Sequence, residues 1–177
     1  TQLPLSGRVL ISVSDKDKEE MLEVARDLLA SGFRILATKG TQKILTDAGI
    51  LSEFVYKLGE ARPDINDLIV NGKVDLIINT PVGADEANDD SYLRKAAIKK
   101  KVPYITTIAA AKAAAEAEAR QTVFPDAKNF VDKTDYFEAT DADGNVIGYV
   151  FNTASKGYGG DVPLTVGIDS EGTITGI

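Results

Sequence analysis

Apolar positions along the first 120 residues fall into two alternating periods. Arg8–Val13 (RVLISV) is an unbroken apolar run with β-branched residues, and Phe33–Ala37, Leu51–Lys57, Val74–Asn79 and Pro103–Thr106 repeat that character. Each run predicts a strand. Between them the spacing lengthens to the helical period. Met21, Leu22, Val24, Ala25, Leu28 and Leu29 mark one face of a helix over Asp17–Ser31, closed by Gly32. Shorter helices are predicted over Thr41–Ala48, stopped by Gly49, and over Pro63–Val70, with Pro at the start and Gly72 just past the end. Ser91–Lys101 and the alanine-rich Ile108–Arg120 complete the series.

Strand and helix thus alternate five times. Strands without in/out alternation need cover on both faces, and a parallel sheet flanked by helices supplies it. Residues 1–120 are therefore expected to form an open α/β sandwich. The hand of each crossover follows from that, but the strand order does not.

The pattern then changes. Tyr136–Thr140 and Val146–Asn152 flank Asp141-Ala142-Asp143-Gly144-Asn145, and Val162–Ile168 and Thr173–Ile177 flank Asp169-Ser170-Glu171-Gly172. Both are hairpin signals. Gly157-Tyr158-Gly159-Gly160 lies between them and reads as a turn. Phe124–Val131 is expected to be a short helical or irregular connector. Residues 121–177 are thus expected to form a small antiparallel β-meander, with Pro125 and Pro163 limiting where pairing continues. So short a meander is a thin basis for a core of its own. Its exposed edges would suit pairing with a second copy, so a homo-oligomer is expected.

Charge sharpens the boundary. The net charge of −7 is unevenly spread: residues 1–120 carry −1 and residues 121–177 carry −6. In the tail only Lys128, Lys133 and Lys156 offset nine carboxylates. The acidic balance argues against nucleic acid and against anionic membrane surfaces as partners. With neither cysteine nor histidine, the chain excludes disulfides, Cys/His zinc sites and His-dependent nucleophile triads. No apolar run reaches membrane-spanning length and no secretory leader opens the chain, so a cytoplasmic location is expected. Thr1 in place of an initiator Met points to a chain processed or excised from something longer.

The candidate chemistry gathers where strands end. Ser12 closes the first strand, and Lys16 and Lys18 follow it. Thr38-Lys39-Gly40-Thr41 joins the second strand to a helix, Lys57 ends the third, and Asn79 and Thr80 end the fourth. Open α/β sheets bind ligands beyond the carboxyl ends of their strands. Hydroxyls, an amide, ammonium groups and a glycine beside a helix N-terminus suit a phosphate or carboxylate there. The plainer alternative is that Thr41 and its like cap helices, and that Lys16 and Lys18 are solvated. Asp85, Glu86, Asp89 and Asp90 form an acidic run, expected to be a solvated loop with Asp89 or Asp90 near the cap of the helix at Ser91. Its spacing does not match an EF-hand metal loop.

Those residues also carry a resemblance. ISVSDKDK (11–18), GFRILATKGT (32–41), VYKLGEARPDINDLI (55–69), VDLIINTP (74–81) and YITTIAAAKAAAEA (104–117) resemble the C-terminal regulatory domain of carbamoyl-phosphate synthase large subunits, within the methylglyoxal-synthase-like family. The resemblance covers residues 6–118. It implies a five-stranded parallel sheet in the order 3-2-1-4-5 and an effector site for a nucleotide such as UMP or IMP, with no catalytic centre. Matched by position, Ser12, Lys18, Thr38, Gly40, Thr41, Lys57, Asn79 and Thr80 would bind the effector. Pro81 stands where some members have a hydroxyl residue, and Lys39 where some have His. Methylglyoxal synthase shares the fold, but the resemblance implies proton transfer by His and Asp, and this chain has no His. Ile11–Lys16 also resembles the start of IMP cyclohydrolase; Glu60–Ile65 and Asn79–Pro81 favour the synthase domain.

A second resemblance covers the tail. VFPDAKNF (123–130) and residues 143–177 are similar to the N-terminal half of FMN-binding domains of membrane electron-transport complexes, with Gly157, Tyr158, Gly159 and Gly160 carrying the match. The hydroxyl-Gly-Ala-Thr motif to which that family attaches flavin does not occur in this chain. The expectation is an effector-binding domain, 1–120, joined to a partial flavin-domain meander, 121–177, with the remaining synthase domains as partners. No cofactor is required, and FMN is the one cofactor a resemblance implies. The alternatives are an electron-transfer flavoprotein fragment and a structural chimera in which neither site works.

Overall fold

The computed structural model describes Pro4 and residues 6–80, 87–157 and 160–177. The chain divides into two compact units, Thr1–Glu116 and Ala117–Ile177.

Unit 1 is an α/β sandwich. Its strands are β1 (Gly7–Ser12), β2 (Phe33–Ala37), β3 (Glu53–Phe54), β4 (Leu76–Asn79) and β5 (Tyr104–Ile105). They pair in parallel in the order β3-β2-β1-β4-β5. The helices are α1 (Lys18–Ala30), α2 (Lys39–Asp47), α3 (Ile65–Val70), α4 (Ala87–Lys100) and the start of α5 (Ile108–Val123). Alternate residues of each strand feed two cores. Val9, Ile11, Ile35, Leu76 and Ile78 face Met21, Val24 and Leu28 of α1, Leu45 of α2, and Ala111 and Ala115 of α5. Leu10, Leu36, Val55 and Ile77 face Ile65 and Ile69 of α3 and Leu93 and Ala97 of α4. Two buried faces explain why these strands read as continuous apolar runs.

Several boundaries differ from the sequence reading. The third strand shrinks from Leu51–Lys57 to Glu53–Phe54, because only Val55 of that segment is buried and this edge strand has one neighbour. Helix α3 begins at Ile65, after Asp64 and Asp67 form a reciprocal capping box. Helix α2 begins at Lys39, so Gly40 lies inside its first turn. Helix α4 begins at Ala87, four residues before the expected Ser91, and Asp90 is a helical residue. Asp85, Glu86 and the Pro81 substitution lie outside the described residues, as does the side chain of Asp89.

Unit 2 contains the end of α5 and a meander of β6 (Asn129–Asp132), β7 (Phe137–Thr140), β8 (Val146–Gly157), β9 (Gly160–Asp169) and β10 (Ile174–Gly176), paired antiparallel in chain order. The connector expected over Phe124–Val131 is corrected: its second half is strand β6, paired from Asn129↔Thr140 to Asp132↔Phe137. Two turns close the same way. The Asp141 carboxylate accepts the backbone N–H of Asp143 and Asn145, and the Asp169 carboxylate those of Glu171 and Thr173. The core is one-sided: Val123, Phe124 and Ala127 pack on Ala139 and Val150.

Three glycines explain how the end of α5 can lie so close to the sheet. A Cβ on Gly148 would enter the Phe124 ring, one on Gly167 would stand 2.6 Å from the Val123 carbonyl oxygen, and one on Gly176 would stand 2.8 Å from Val123 Cα. The motif Gly157–Gly160 is where β8 and β9 pair most distally, Gly157 opposite Gly160. Tyr158 and Gly159 lie outside the described residues.

Candidate functional site

The parallel register sets the site. Ile11 pairs with Ala37, and Ser12 pairs with Asn79. Thr38, one residue past β2, is therefore level with Ser12, and its hydroxyl donates to Ser12 Oγ at 3.4 Å. Thr38, Ser12 and Asn79 form a row across three adjacent strands at their carboxyl ends. All three point to the face covered by α3 and α4, since Ile11, Ala37 and Ile78 point to the other.

Thr38 is the N-cap of α2, in extended conformation, but its side chain makes no capping bond. The first turn of α2 holds no acidic residue. Its amide ends thus keep their partial positive charge, which favours an anion. Gly40 in that turn lets the Lys18 ammonium approach: a Cβ there would lie 3.1 Å from Lys18 Nζ. Lys18 comes from the first turn of α1 and is only 15% exposed, with its ammonium 2.5 Å from Asp15 Oδ1. That bond, and then the Lys57 charge, hold the Asp15 carboxyl below its ordinary value. Lys18 and Lys57 thus both favour the charged form of Asp15.

The remaining hydroxyls brace the loop. Thr41 Oγ1 accepts the Val13 N–H at 3.4 Å, and Thr80 Oγ1 accepts the Ser14 N–H at 2.9 Å. Thr41 is therefore not a cap; it ties the end of β1 to α2. Ser14 donates to Asp17 Oδ2 at 2.5 Å. The Ser14 hydroxyl, then that of Thr80, lowers the Asp17 carboxyl, keeping it an acceptor for both. Each threonine hydroxyl still has a hydrogen to donate or a second lone pair to fill.

Asn79 is placed in the row, but its amide nitrogen is spoken for. Nδ2 donates to Asp90 Oδ1 and to Tyr104 Oη, both at 2.7 Å. The Tyr104 hydroxyl donates to the same Asp90 oxygen at 2.6 Å, and Arg94 bonds Asp90 Oδ2 at 3.0 Å. Burial, and next the bond to Asp90, push the Tyr104 phenol well above its ordinary value, so it stays a donor. Sequence reasoning missed this group: Asp90 was expected beside a helix cap, and Tyr104 was read only as a strand residue.

Residues 20–106 match the model of the MGS-like domain. The chain is 54% identical over 117 residues to the C-terminal section of the carbamoyl phosphate synthase large chain of Methanopyrus kandleri, covering 66% of this chain and 22% of that protein. It is 51% identical over 114 residues to the carbamoyl phosphate synthase large chain of Acidobacterium capsulatum, covering 64% of this chain and 10% of that one. Unit 1 carries an MGS-like domain. This MGS-like domain matches the C-terminal section of those large chains, and the chain spans a quarter or less of the curated relatives it matches. The crystal structure of methylglyoxal synthase from Elizabethkingia anophelis shares the fold, with a TM-score of 0.51 at 18% identity over 64% of this chain and 79% of that one. The family match ends at residue 106 and gives no support to the flavin-domain reading of residues 121–177. Among the described residues, no helix is long and apolar enough to cross a membrane.

Proposed function

We propose that the MGS-like domain is a non-catalytic regulatory module that binds a nucleoside monophosphate of the UMP or IMP type. The phosphate lies against the first turn of α2 and the hydroxyls of Thr38 and Ser12, with Lys18 and Lys57 supplying charge. One observation carries this reading: a lysine ammonium packed over a glycine at a helix N-terminus. Asp15 already pairs with that ammonium, and a dianion at the first turn of α2 supplies a second negative partner for it and for the helix N-terminus. Binding without transformation also fits a chain with no histidine to shuttle protons. In a complete synthase, occupancy would bias the catalytic domains through a difference in affinity between two states.

Calorimetric titration of the 177-residue chain with UMP and with IMP tests the proposal. Binding of at least one is expected, with Lys18→Ala and Lys57→Ala each weakening it about tenfold or more, the usual worth of a charge-assisted bond. No heat with either nucleotide at millimolar concentration overturns it. Added FMN serves as the control for the flavin reading of residues 121–177: flavin absorbance retained after gel filtration would favour that reading, and a colourless chain would end it.

A further inference from the structure

The long strands of unit 2 outrun their neighbours. β8 has twelve residues and β9 ten, whereas β7 has four and β10 three. β7 accompanies β8 only from Val146 to Val150, and β10 accompanies β9 only at Gly167 and Ile168. The rest is a two-stranded ribbon, paired without a register shift from Phe151↔Val166 to Gly157↔Gly160. All five residues from Phe151 to Ser155 are exposed. A two-stranded ribbon in water is marginal, and its outer edges offer N–H and C=O groups to any further strand.

The register tells which groups those are. Ser170 N–H donates to the Ile147 carbonyl, one step beyond the pair Gly148↔Asp169, so residues 147 and 170 form a hydrogen-bonded pair. Such pairs alternate along an antiparallel ladder. Tyr149, Phe151, Thr153 and Ser155 therefore bond β9, and Val150, Asn152, Ala154 and Lys156 turn their backbone groups the other way. Val150 meets Phe137 of β7 there. Among the described strands, none pairs with the next three. The opposite edge of the ribbon differs. Pro163 lies across from Ala154, so its backbone nitrogen also faces outward, and it has no N–H to give. One edge of the ribbon is open and the other is interrupted in its middle.

We infer that the β8 edge from Asn152 to Lys156 pairs antiparallel with the same edge of a second copy of this chain. Three features select a second copy. A two-fold axis near Ala154 matches the outward groups of one edge with those of the other, so one segment serves both copies. Pro163 stops the far edge, so the pairing closes at two chains rather than growing into a fibre. Phe151–Ser155 carries no charge, although residues 121–177 carry −6, so two acidic copies meet there without like charges set opposite each other. The expectation of a homo-oligomer through sheet edges thus narrows to one edge. It is independent of the anion site in unit 1.

Light scattering on the 177-residue chain, from about 10 μM to about 1 mM, should show a monomer passing to a dimer, because a strand pair of this length is a small and weak interface. Ala154→Pro should weaken association about tenfold or more, since it removes an outward N–H and no bond to β9. If that variant unfolds unit 2, Ala154→Lys takes its place, setting like charges together across the two-fold axis, and should weaken association likewise. Amide exchange needs no variant: protection at Asn152, Ala154 and Lys156 should rise with concentration, while Thr153 and Ser155 stay protected throughout. A monomer at about 1 mM overturns the inference. So does a dimer that the folded Ala154 variant leaves intact, or one whose formation protects none of the three outward amides. A mass that climbs past two copies overturns the closed pairing.

Discussion

The two units solve the same problem with different economies. The sheet of unit 1 is covered on both faces, and its strands present buried aliphatic residues to each side. The sheet of unit 2 is covered on one face by the end of α5 and leaves Tyr136 in ring contact with Tyr149 and with Phe151 on the other, the last two 37% exposed. Double cover leaves Ser12, Thr38 and Asn79 to emerge together at the carboxyl ends of three buried strands. Single cover tolerates glycines, long ribbons and exposed rings. The doubly covered unit is the one that carries the candidate site.

That contrast makes graded predictions. The largest effect belongs to the doubly covered sheet: Ile11→Ala, at a fully buried position, should cost about 2–5 kcal/mol in urea unfolding followed by helical circular dichroism. A loss below about 1 kcal/mol would mean that the two cores are not packed as described. An intermediate effect concerns Glu118, 5% exposed on α5 in unit 2, whose Oε2 has no hydrogen-bond partner. Burial pushes its carboxyl above the ordinary glutamate value. A raised folded-state value means that the fold favours the neutral acid over the carboxylate. The stability this contributes is fully present at pH below the unfolded-state value and is lost as pH rises through the folded one. Glu118→Gln should therefore raise the melting temperature at pH 7, by on the order of 1 kcal/mol of stability, and change little at pH 4. Equal gains at both pH values would show that ionisation is not the cost. The smallest effect belongs to the open face: Phe151→Ser should cost less than about 1 kcal/mol by the same unfolding assay. A cost matching that of Ile11→Ala would break the comparison, because it would require that face to be covered.

The same contrast decides what could be read from the sequence. Continuous apolar runs announced the inner strands of unit 1 to within two residues, since burial on both faces leaves no other pattern. The edge strand Glu53–Phe54 was overextended because its apolar neighbours Leu51 and Tyr56 are exposed. Strand β6 was missed because only Phe130 of its four residues packs against the core, which gives no alternation to detect. Gly40 was read as a glycine beside a helix N-terminus; its use as a window for Lys18 depends on α1 reaching across, which no local pattern records. The strand-end places of Ser12, Thr38 and Asn79 were legible from the strand pattern, but their lying in one row depends on a strand order that the pattern does not give. The group around Asn79 was not: Asp90 and Tyr104 are 11 and 25 residues away, and only the β1–β4–β5 register places them together.

The passage of Val123 and Phe124 over Gly148, Gly167 and Gly176 has a consequence for how unit 2 can vary. At each of the three the obstruction includes main chain, the Ile168 carbonyl at Gly148 and the Val123 backbone at Gly167 and Gly176, which no choice of side chain on the helix can relieve. The three positions behave as a single socket: an added methyl at any of them would lift the helix end from the sheet and loosen the fit at the other two. Sequence drift in this unit is therefore free on its ring-bearing face and nearly frozen along one line of hydrogen atoms.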